Sequence, residues 1–444
     1  MLKRILFIIY CSFLPAFGLL AQDTSQSSLK WDLETCLEYA RKNNIQLNTL
    51  RLDQRISEQD RLLSRAARLP SLGASASQSI VNSTNADPVV GGFQTQANYS
   101  ANYSLNSSVL VSQGGFINKD IRQRELILQS AGLSVQEAQN DITLQITQAY
   151  LNILLAKENI VYLQDLVASS QTQVTLGRQR YDAGSIARKE ILQLESQYAN
   201  DRYNLVTAQN TYRQNVITLK QLLLLPSSVS FDVVEPDTLI VQQAVPNLET
   251  AVNAAMQNRP EIKNAQLGID IAQLDIDKAR SGYWPTISVG GSLSTGYSDN
   301  QAAKYFSQIN ENFFQRVGLS VSVPIFSNRI NRTNVERSRL ITEQAKLAAK
   351  ETKTVLDLAI EQSYVNVLNA QAQFSAAETQ WQANQESYRI ANEEMRLGSV
   401  NTLDLLQQKL LYVQALQAYT QAKYSAVLNS KIYDFYTGVP ITLK

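Results

Sequence analysis

Two hydrophobic periods succeed one another along the chain. In one kind of segment apolar and polar residues take turns. Leu72, Ala74, Ala76 and Ile80 are interleaved with Ser71, Gly73, Ser75, Ser77 and Ser79. Ala97, Tyr99, Ala101, Tyr103, Leu105, Val109 and Val111 are interleaved with Asn98, Ser100, Asn102, Ser104, Asn106 and Ser108. The pattern returns in Ile287, Val289, Leu293 and Tyr297, and again in Val317, Leu319, Val321, Val323 and Ile325. Successive side chains of a strand point to opposite faces, so this period of two predicts strands at about 71–82, 96–112, 286–298 and 313–325. Each would carry one apolar face and one uncharged polar face. In the other kind of segment an apolar and small-residue stripe steps by fours and threes. It runs Leu356, Ile360, Ser363, Val367, Ala370, Phe374, Ala377, Trp381, Asn384, Tyr388, Ala391, Met395, and earlier from Ile142 through Ile146, Ala149 and Ile153 to Tyr181. That spacing is the coiled-coil signature. It predicts long helices at about 117–181 and 329–395, each roughly 100 Å long at about 1.5 Å per residue. The aromatic members of the stripe are expected to pack a helical core.

The two kinds of segment occur twice in the same order. At an offset of 215, Leu33-Glu34-Thr35 falls on Leu248-Glu249-Thr250 and Pro70 on Pro285. At 214, Gln148, Tyr150, Asn152, Leu154 and Ala156 fall on Gln362, Tyr364, Asn366, Leu368 and Ala370, and Pro226 falls on Pro440. A register held this long predicts a duplicated half-protein, residues 22–226 and 248–444. Each half would run helical stretch (about 33–69; 248–282), strand pair, long helix, turn, second helix (about 186–225; 401–437). Residues 227–247, with Pro226, Pro236 and Pro246 nearby, are the expected linker. Both long helices lead into a glycine turn, Gly184-Ser185 and Gly398-Ser399. A left-handed glycine just past a helix end reverses the chain, so each half should end in a helical hairpin.

Composition narrows the chemistry. Among 444 residues there are 40 Lys+Arg, 39 Asp+Glu and no histidine. Without imidazole there is no Ser-His-Asp triad, Cys-His pair, His-ligated metal or histidine pH switch. No GxxxxGK phosphate loop or other catalytic constellation occurs. We therefore expect no enzyme, no cofactor and no bound metal, and a net charge of +1 offers no field for nucleic acid. Met1-Leu2-Lys3-Arg4, an apolar run to Leu20, and Ala21 before polar residues match a signal peptide at 1–21. Cys11 lies within it and lacks a lipoprotein context, which leaves Cys36 alone and no intrachain disulfide. After Ala21 no apolar run is long enough for a transmembrane helix, so membrane entry would require a β-barrel. Four strands cannot enclose an open lumen, so several chains would have to share one barrel. The alternative is a soluble secreted coiled-coil scaffold with a small β-domain.

Six residues beyond each turn glycine stands an acid, Glu190 and Asp404. Two accounts stay open. An acid suits the first turn of a helix, and Asn401 to Asp404 resembles a capping box; a ring of carboxylates at a pore mouth would attract cations. Basic residues gather where helices meet strands, among them Arg65, Arg68, Lys119, Arg122, Lys278, Arg329, Arg332 and Arg337. They suit a solvated helix face or snorkelling to lipid headgroups. The near-zero net charge is then expected to average a basic barrel base with acidic tips.

Over the whole mature chain these features resemble the TolC family of outer-membrane efflux proteins. The resemblance rests on the paired halves, the repeated Gln-x-Tyr-x-Asn-x-Leu-x-Ala at 148–156 and 362–370, the strand exit Val323-Pro324-Ile325-Phe326 and the two Gly-Ser turns. It implies an α+β membrane protein in which three chains form a twelve-stranded barrel, four strands each, continued by a helical tunnel across the periplasm. The function implied is a passive exit duct for small toxic compounds or secreted polypeptides, in tripartite efflux or type I secretion. Its implied partners are a periplasmic adaptor docking at Gly184, Ser185, Gly398 and Ser399, an inner-membrane pump of RND or ABC type, and outer-membrane lipid. Glu190 and Asp404 match acidic positions near the family's periplasmic constriction, and Tyr181, Asp182, Met395, Arg396 and Gln407 fall at tip or gate positions. The chain departs from the family where Val400 replaces a gate arginine, Gln407 a second acid and Met395 an aromatic. Asp182 or Arg396 would have to substitute in any carboxylate–arginine lock.

Overall fold

The computed structural model describes residues 29–86, 91–236, 239, 241, 245–439 and 441. The leader expected at 1–21 lies outside them. The elements run β1 (Leu29–Trp31), α1 (Leu33–Asn43), α2 (Ile45–Ala66), β2 (Ser71–Ala86), β3 (Phe93–Gln113), α3 (Phe116–Asp182) and α4 (Arg188–Leu223). They continue through β4 (Phe231–Val233), α5 (Leu248–Asn258), α6 (Pro260–Ser281), β5 (Thr286–Ser298), α7 (Tyr305–Glu311), β6 (Phe314–Ser322), α8 (Ile330–Leu397) and α9 (Thr402–Thr437). Setting aside the short β1, β4 and α7, the two halves share one order, α-α-β-β-α-α. Each helical stretch expected before the strands is two helices. Asn44, in extended conformation, ends α1 and caps α2 by accepting from Leu47 N at 3.0 Å. In the second half Arg259, also extended, ends α5, and Pro260, with its fixed φ and missing N–H, is the first residue of α6.

The four long strands form one antiparallel sheet in the order β2-β3-β5-β6. Its register gathers most of the apolar positions on one face, with Val81, Leu110 and Phe314 on the other. Leu105 lies beside Ala74 and Leu293, Val289 beside Val109 and Leu319, and Ile287 beside Val321. The opposite face is Ser, Asn, Gly and Thr, with hydroxyl pairs such as Ser75–Ser104 at 2.7 Å and Ser79–Ser100 at 2.8 Å. Apart from α7, which folds back over part of β3 and β5, the apolar face has no covering layer among the described residues; Val317 is 86% exposed and Leu319 66%. The outer edges of β2 and β6 are unpaired there as well.

Turns from strand to long helix are left-handed in both halves: Gly114 and Gly115 before α3, Asn328 and Arg329 before α8. Glycine is needed at 114, because a Cβ would sit 2.6 Å from that of Trp284. The long helices have 67 and 68 residues and pack lengthwise, α3 on α4 and α8 on α9. Their seam is the expected stripe: Ile142, Ile146, Ala149, Ile153, Leu356, Ile360, Val367 and Ala370 are buried. Trp381 stacks on Tyr419 at 4.6 Å and Tyr388 on Tyr412 at 5.3 Å, so the stripe's aromatics do pack helix against helix.

The segment after α4 holds an ordered clamp that periodicity did not reveal. β4 pairs in parallel with β1, too short a ladder to leave a sequence signal. Lys157 of α3 bridges to it, donating to Asp232 Oδ2 at 2.9 Å and Val233 O at 2.8 Å. Tyr150 donates to Val234 O and Tyr212 to Asp232 Oδ1. Burial works against the Asp232 charge, but Lys157, Tyr212 and the Val233 N–H outweigh it and hold the carboxyl below the usual range. A depressed carboxylate stabilises the fold fully above its unfolded value of about 3.9 and loses that contribution only as pH falls through the folded value. Protease resistance of residues 227–236 should therefore be level from about pH 5 to 8 and fall only in stronger acid. Lys157→Met should expose the segment to limited proteolysis at neutral pH; equal resistance of variant and wild type would contradict the clamp.

Candidate functional site at the hairpin tips

The chemistry that the sequence leaves unexplained lies at the far end of the long helices. α3 ends with Gly184 at φ +74°, where Ser185 N donates to Arg180 O at 2.8 Å. α8 ends with Gly398 at φ +80°, where Ser399 N and Oγ both donate to Glu394 O. These bonds satisfy carbonyls that a helix end otherwise leaves open. Nothing lies within 4 Å of a Cβ built on either glycine, so only backbone conformation favours glycine there. Both turns are exposed, as a docking surface requires.

The two candidate acids have different surroundings. Glu190, in the first turn of α4, is half-buried and accepts from Thr402 Oγ1 at 2.9 Å, joining one hairpin to the other. Asp404 is exposed in the first turn of α9. Its N–H donates to Asn401 Oδ1 at 2.9 Å, and Asn401 Nδ2 returns a bond to Asp404 Oδ2 at 2.8 Å. The capping geometry is thus present at Asp404, with the carboxylate still open to solvent. Tyr181, Asp182 and Gln407 are exposed and Met395 is half-buried. Arg396 turns to Glu393 on its own helix, at 2.9 Å.

The residue that ties the tips is Arg180, which sequence reasoning passed over. From α3 it donates to Met395 O at 3.0 Å and Arg396 O at 3.2 Å, placing a cation on the C-terminal carbonyls of α8. A second tie lies deeper. Lys409 of α9 and Asp201 of α4 form an ion pair at 2.8 Å with side chains 1% and 2% exposed. Ser170 of α3 bonds to both partners, and Gln197 supplies Asp201 Oδ1 at 2.8 Å. Three helices from both hairpins therefore meet at one desolvated charge pair. The only sequence signal was a polar residue, Ser170, at a stripe position; Asp201 and Lys409 read as ordinary surface charges.

Charge is not divided between base and tips as expected. At the base Arg65 pairs with Glu125 and Lys278 with Asp120, both at 2.6 Å, and Lys119 donates to Ser281 and two backbone carbonyls. The tips carry Arg178, Arg180, Arg188, Lys189 and Arg396 beside their acids. Opposite charges are matched locally across helix faces, which one-dimensional clustering of basic residues conceals.

The profile of the family described as outer membrane efflux protein matches residues 36–223 and 251–431. The chain belongs to that family. It is similar to the outer membrane protein TolC of Vibrio cholerae, 22% identical over 353 residues, covering 75% of this chain and 80% of the relative. TolC of Escherichia coli is 22% identical over 425 residues, covering 93% and 83%. The solved structure of CusC shares the fold, with a TM-score of 0.80 at 18% identity over 95% of this chain and 96% of that one. As an outer membrane efflux protein, the chain is an outer-membrane channel of the efflux or type I secretion kind, with its helices extending into the periplasm. The hairpin tips are then its periplasmic end.

Breaking a buried pair leaves an uncompensated charge and costs about 3–5 kcal/mol, whereas replacing both partners with apolar residues of similar volume is often nearly neutral. Lys409→Met should lower the unfolding midpoint of the detergent-solubilised protein strongly, and Lys409→Met with Asp201→Leu should recover most of the loss. A double variant no better than the single one would show that the pair itself supplies net stability.

Proposed function

We propose that three copies of the chain close one twelve-stranded barrel and form a passive exit duct. The observation that carries this is the four-stranded sheet, apolar on one face, polar on the other and open at both edges. An unpaired edge is not tolerated in hydrocarbon, so β6 of one copy must pair with β2 of the next. Two copies would give eight strands, whose interior is just wide enough for side chains to fill. Three give twelve and leave room for a wet lumen lined by Ser, Asn and Thr. The long helices of the same copies continue that lumen through the periplasm.

Nothing in the chain supplies energy, so an inner-membrane pump of RND or ABC type drives transport through a periplasmic adaptor. The adaptor docks at Gly184-Ser185 and Gly398-Ser399. Arg180, Glu190–Thr402 and the Lys409–Asp201–Ser170 cluster hold the hairpins together, and Tyr181, Asp182, Met395, Arg396 and Gln407 form the surrounding tip surface. Asp404, whose carboxylate faces solvent, contributes one acid per copy to the periplasmic mouth and favours cations there.

Single-channel recording in planar bilayers tests the duct. Purified oligomer should give discrete, cation-selective steps; repeated absence of pores from well-folded protein would overturn the proposal. Asp404→Asn should lower cation selectivity or block by divalent ions without lowering pore frequency. An unchanged reversal potential and block would leave Asp404 with its helix-capping role alone.

A further inference from the structure

One element beside the sheet, α7, has no counterpart among the described residues of the other half. α7 leaves β5 and folds back on it. Tyr305 OH lies 2.7 Å from Tyr103 OH, and its ring lies 4.9 Å from that of Tyr297. Gln308 is buried and fixes the loop, donating to Ser298 O, Gln301 O and Ala303 O while accepting from Ser298 N. Strand register shows which face the helix covers. Tyr103 pairs with Thr295, Ala101 with Tyr297 and Leu105 with Leu293, all on the face that also presents Leu319 and Val317. α7 therefore lies on the apolar outer face, over the inner strands β3 and β5, away from the edges where copies meet.

Its height on that face is informative. From Thr286 to Thr295 the strand, at about 3.3 Å per residue and a tilt of about 45°, climbs about 21 Å. The apolar band of an outer-membrane barrel is about 25 Å tall and is bounded by aromatic girdles. Tyr283, Trp284 and Phe326, all exposed, stand at the base, and Tyr99, Tyr297 and Tyr305 stand at the level of α7. The surface between them is continuous, including a hollow of ≈ 470 Å³ lined by Ala74, Ala76, Tyr103, Leu105, Leu293 and Phe313. At the top, Phe306 projects away from the sheet and is 84% exposed, beside the exposed Lys304. A phenylalanine held in that position by a pinned helix, at the rim of a lipid-facing band, has outer-leaflet lipid as its neighbour.

We propose that α7 is an interfacial anchor, seating Phe306 among the upper acyl chains of the outer leaflet and fixing the depth of the barrel. The inference rests on the sheet facing lipid, as proposed above. Tryptophan quenching separates the two claims. In a background carrying Trp31→Phe, Trp284→Phe and Trp381→Phe, which removes all three native tryptophans, Phe306→Trp and Val317→Trp are reconstituted into phosphatidylcholine vesicles brominated near either the carboxyl or the methyl end of the acyl chains. Val317→Trp should be quenched by bromolipid, and Phe306→Trp should be quenched more by carboxyl-end than by methyl-end bromine and little by aqueous iodide. Failure of bromolipid to quench Val317→Trp would overturn the lipid-facing sheet. Quenching of Val317→Trp by lipid with Phe306→Trp quenched only by iodide would place α7 in water and overturn the anchor. Phe306→Trp insensitive to both agents would place it under protein and overturn the anchor equally.

Discussion

A strand edge inside hydrocarbon has no water to satisfy its N–H and C=O groups, and each one left open costs several kcal/mol. Most of this chain's organisation answers that cost. One copy supplies four paired strands and two open edges, β2 and β6, so its sheet is a fragment of a structure that must close with other copies. Closure requires an apolar face toward lipid and permits a polar face toward a lumen, and the strand pattern has both. Charge is almost excluded from the sheet's polar face; Ser, Asn, Thr and Gly keep it wet without a fixed field, with Arg316 near the strand edge as an exception.

The helices meet a different demand. Two helices of 67 and 68 residues have too little depth around them for a single compact core. They bury a seam of alanine, β-branched and aromatic residues along their length, and the chain adds polar ties where an apolar seam alone would not fix the register. Lys157 fastens the segment between the halves, Lys409 fastens α9 to α3 and α4, and Arg180 fastens the tips. Buried pairs of this kind contribute little net stability but oppose sliding, because every displaced register leaves a charge alone. At the periplasmic end such ties hold the two hairpins to one another.

Much of this was legible in the sequence because its signals are periodic. Strict alternation marked β2, β3, β5 and β6, and steps of four and three marked α3 and α8. The Gly-Ser turns marked the tips, and the offset between halves marked the order. Illegible features depend on single residues meeting across long separations. Asp201 and Lys409 are 208 residues apart and look like surface charges until folding buries them together. β1 and β4 are too short for a period to show, and α7 is a single loop helix whose pinning residue, Gln308, carries no pattern. Of the candidate acids, Asp404 carried a local capping signal that the geometry displays, whereas the bond from Thr402 to Glu190 spans the two halves and left none.

The central claim is that one chain is a third of a closed barrel, and trans-subunit cross-linking of the sheet edges tests it most directly. Gly318→Cys on β6 can be combined in turn with Gly73→Cys, Ser75→Cys or Ser77→Cys on β2, all on the polar face. Native Cys36 is fully buried, and burial pushes its thiol up to about 12, so it does not compete. A disulfide needs Cα atoms about 4.4–6.8 Å apart, so only strands paired edge to edge can form one. Oxidation of membranes carrying the matched pair should give a ladder that ends at the covalent trimer. Monomer alone across the whole series, or a ladder that stops at two or runs on past three, would contradict the account.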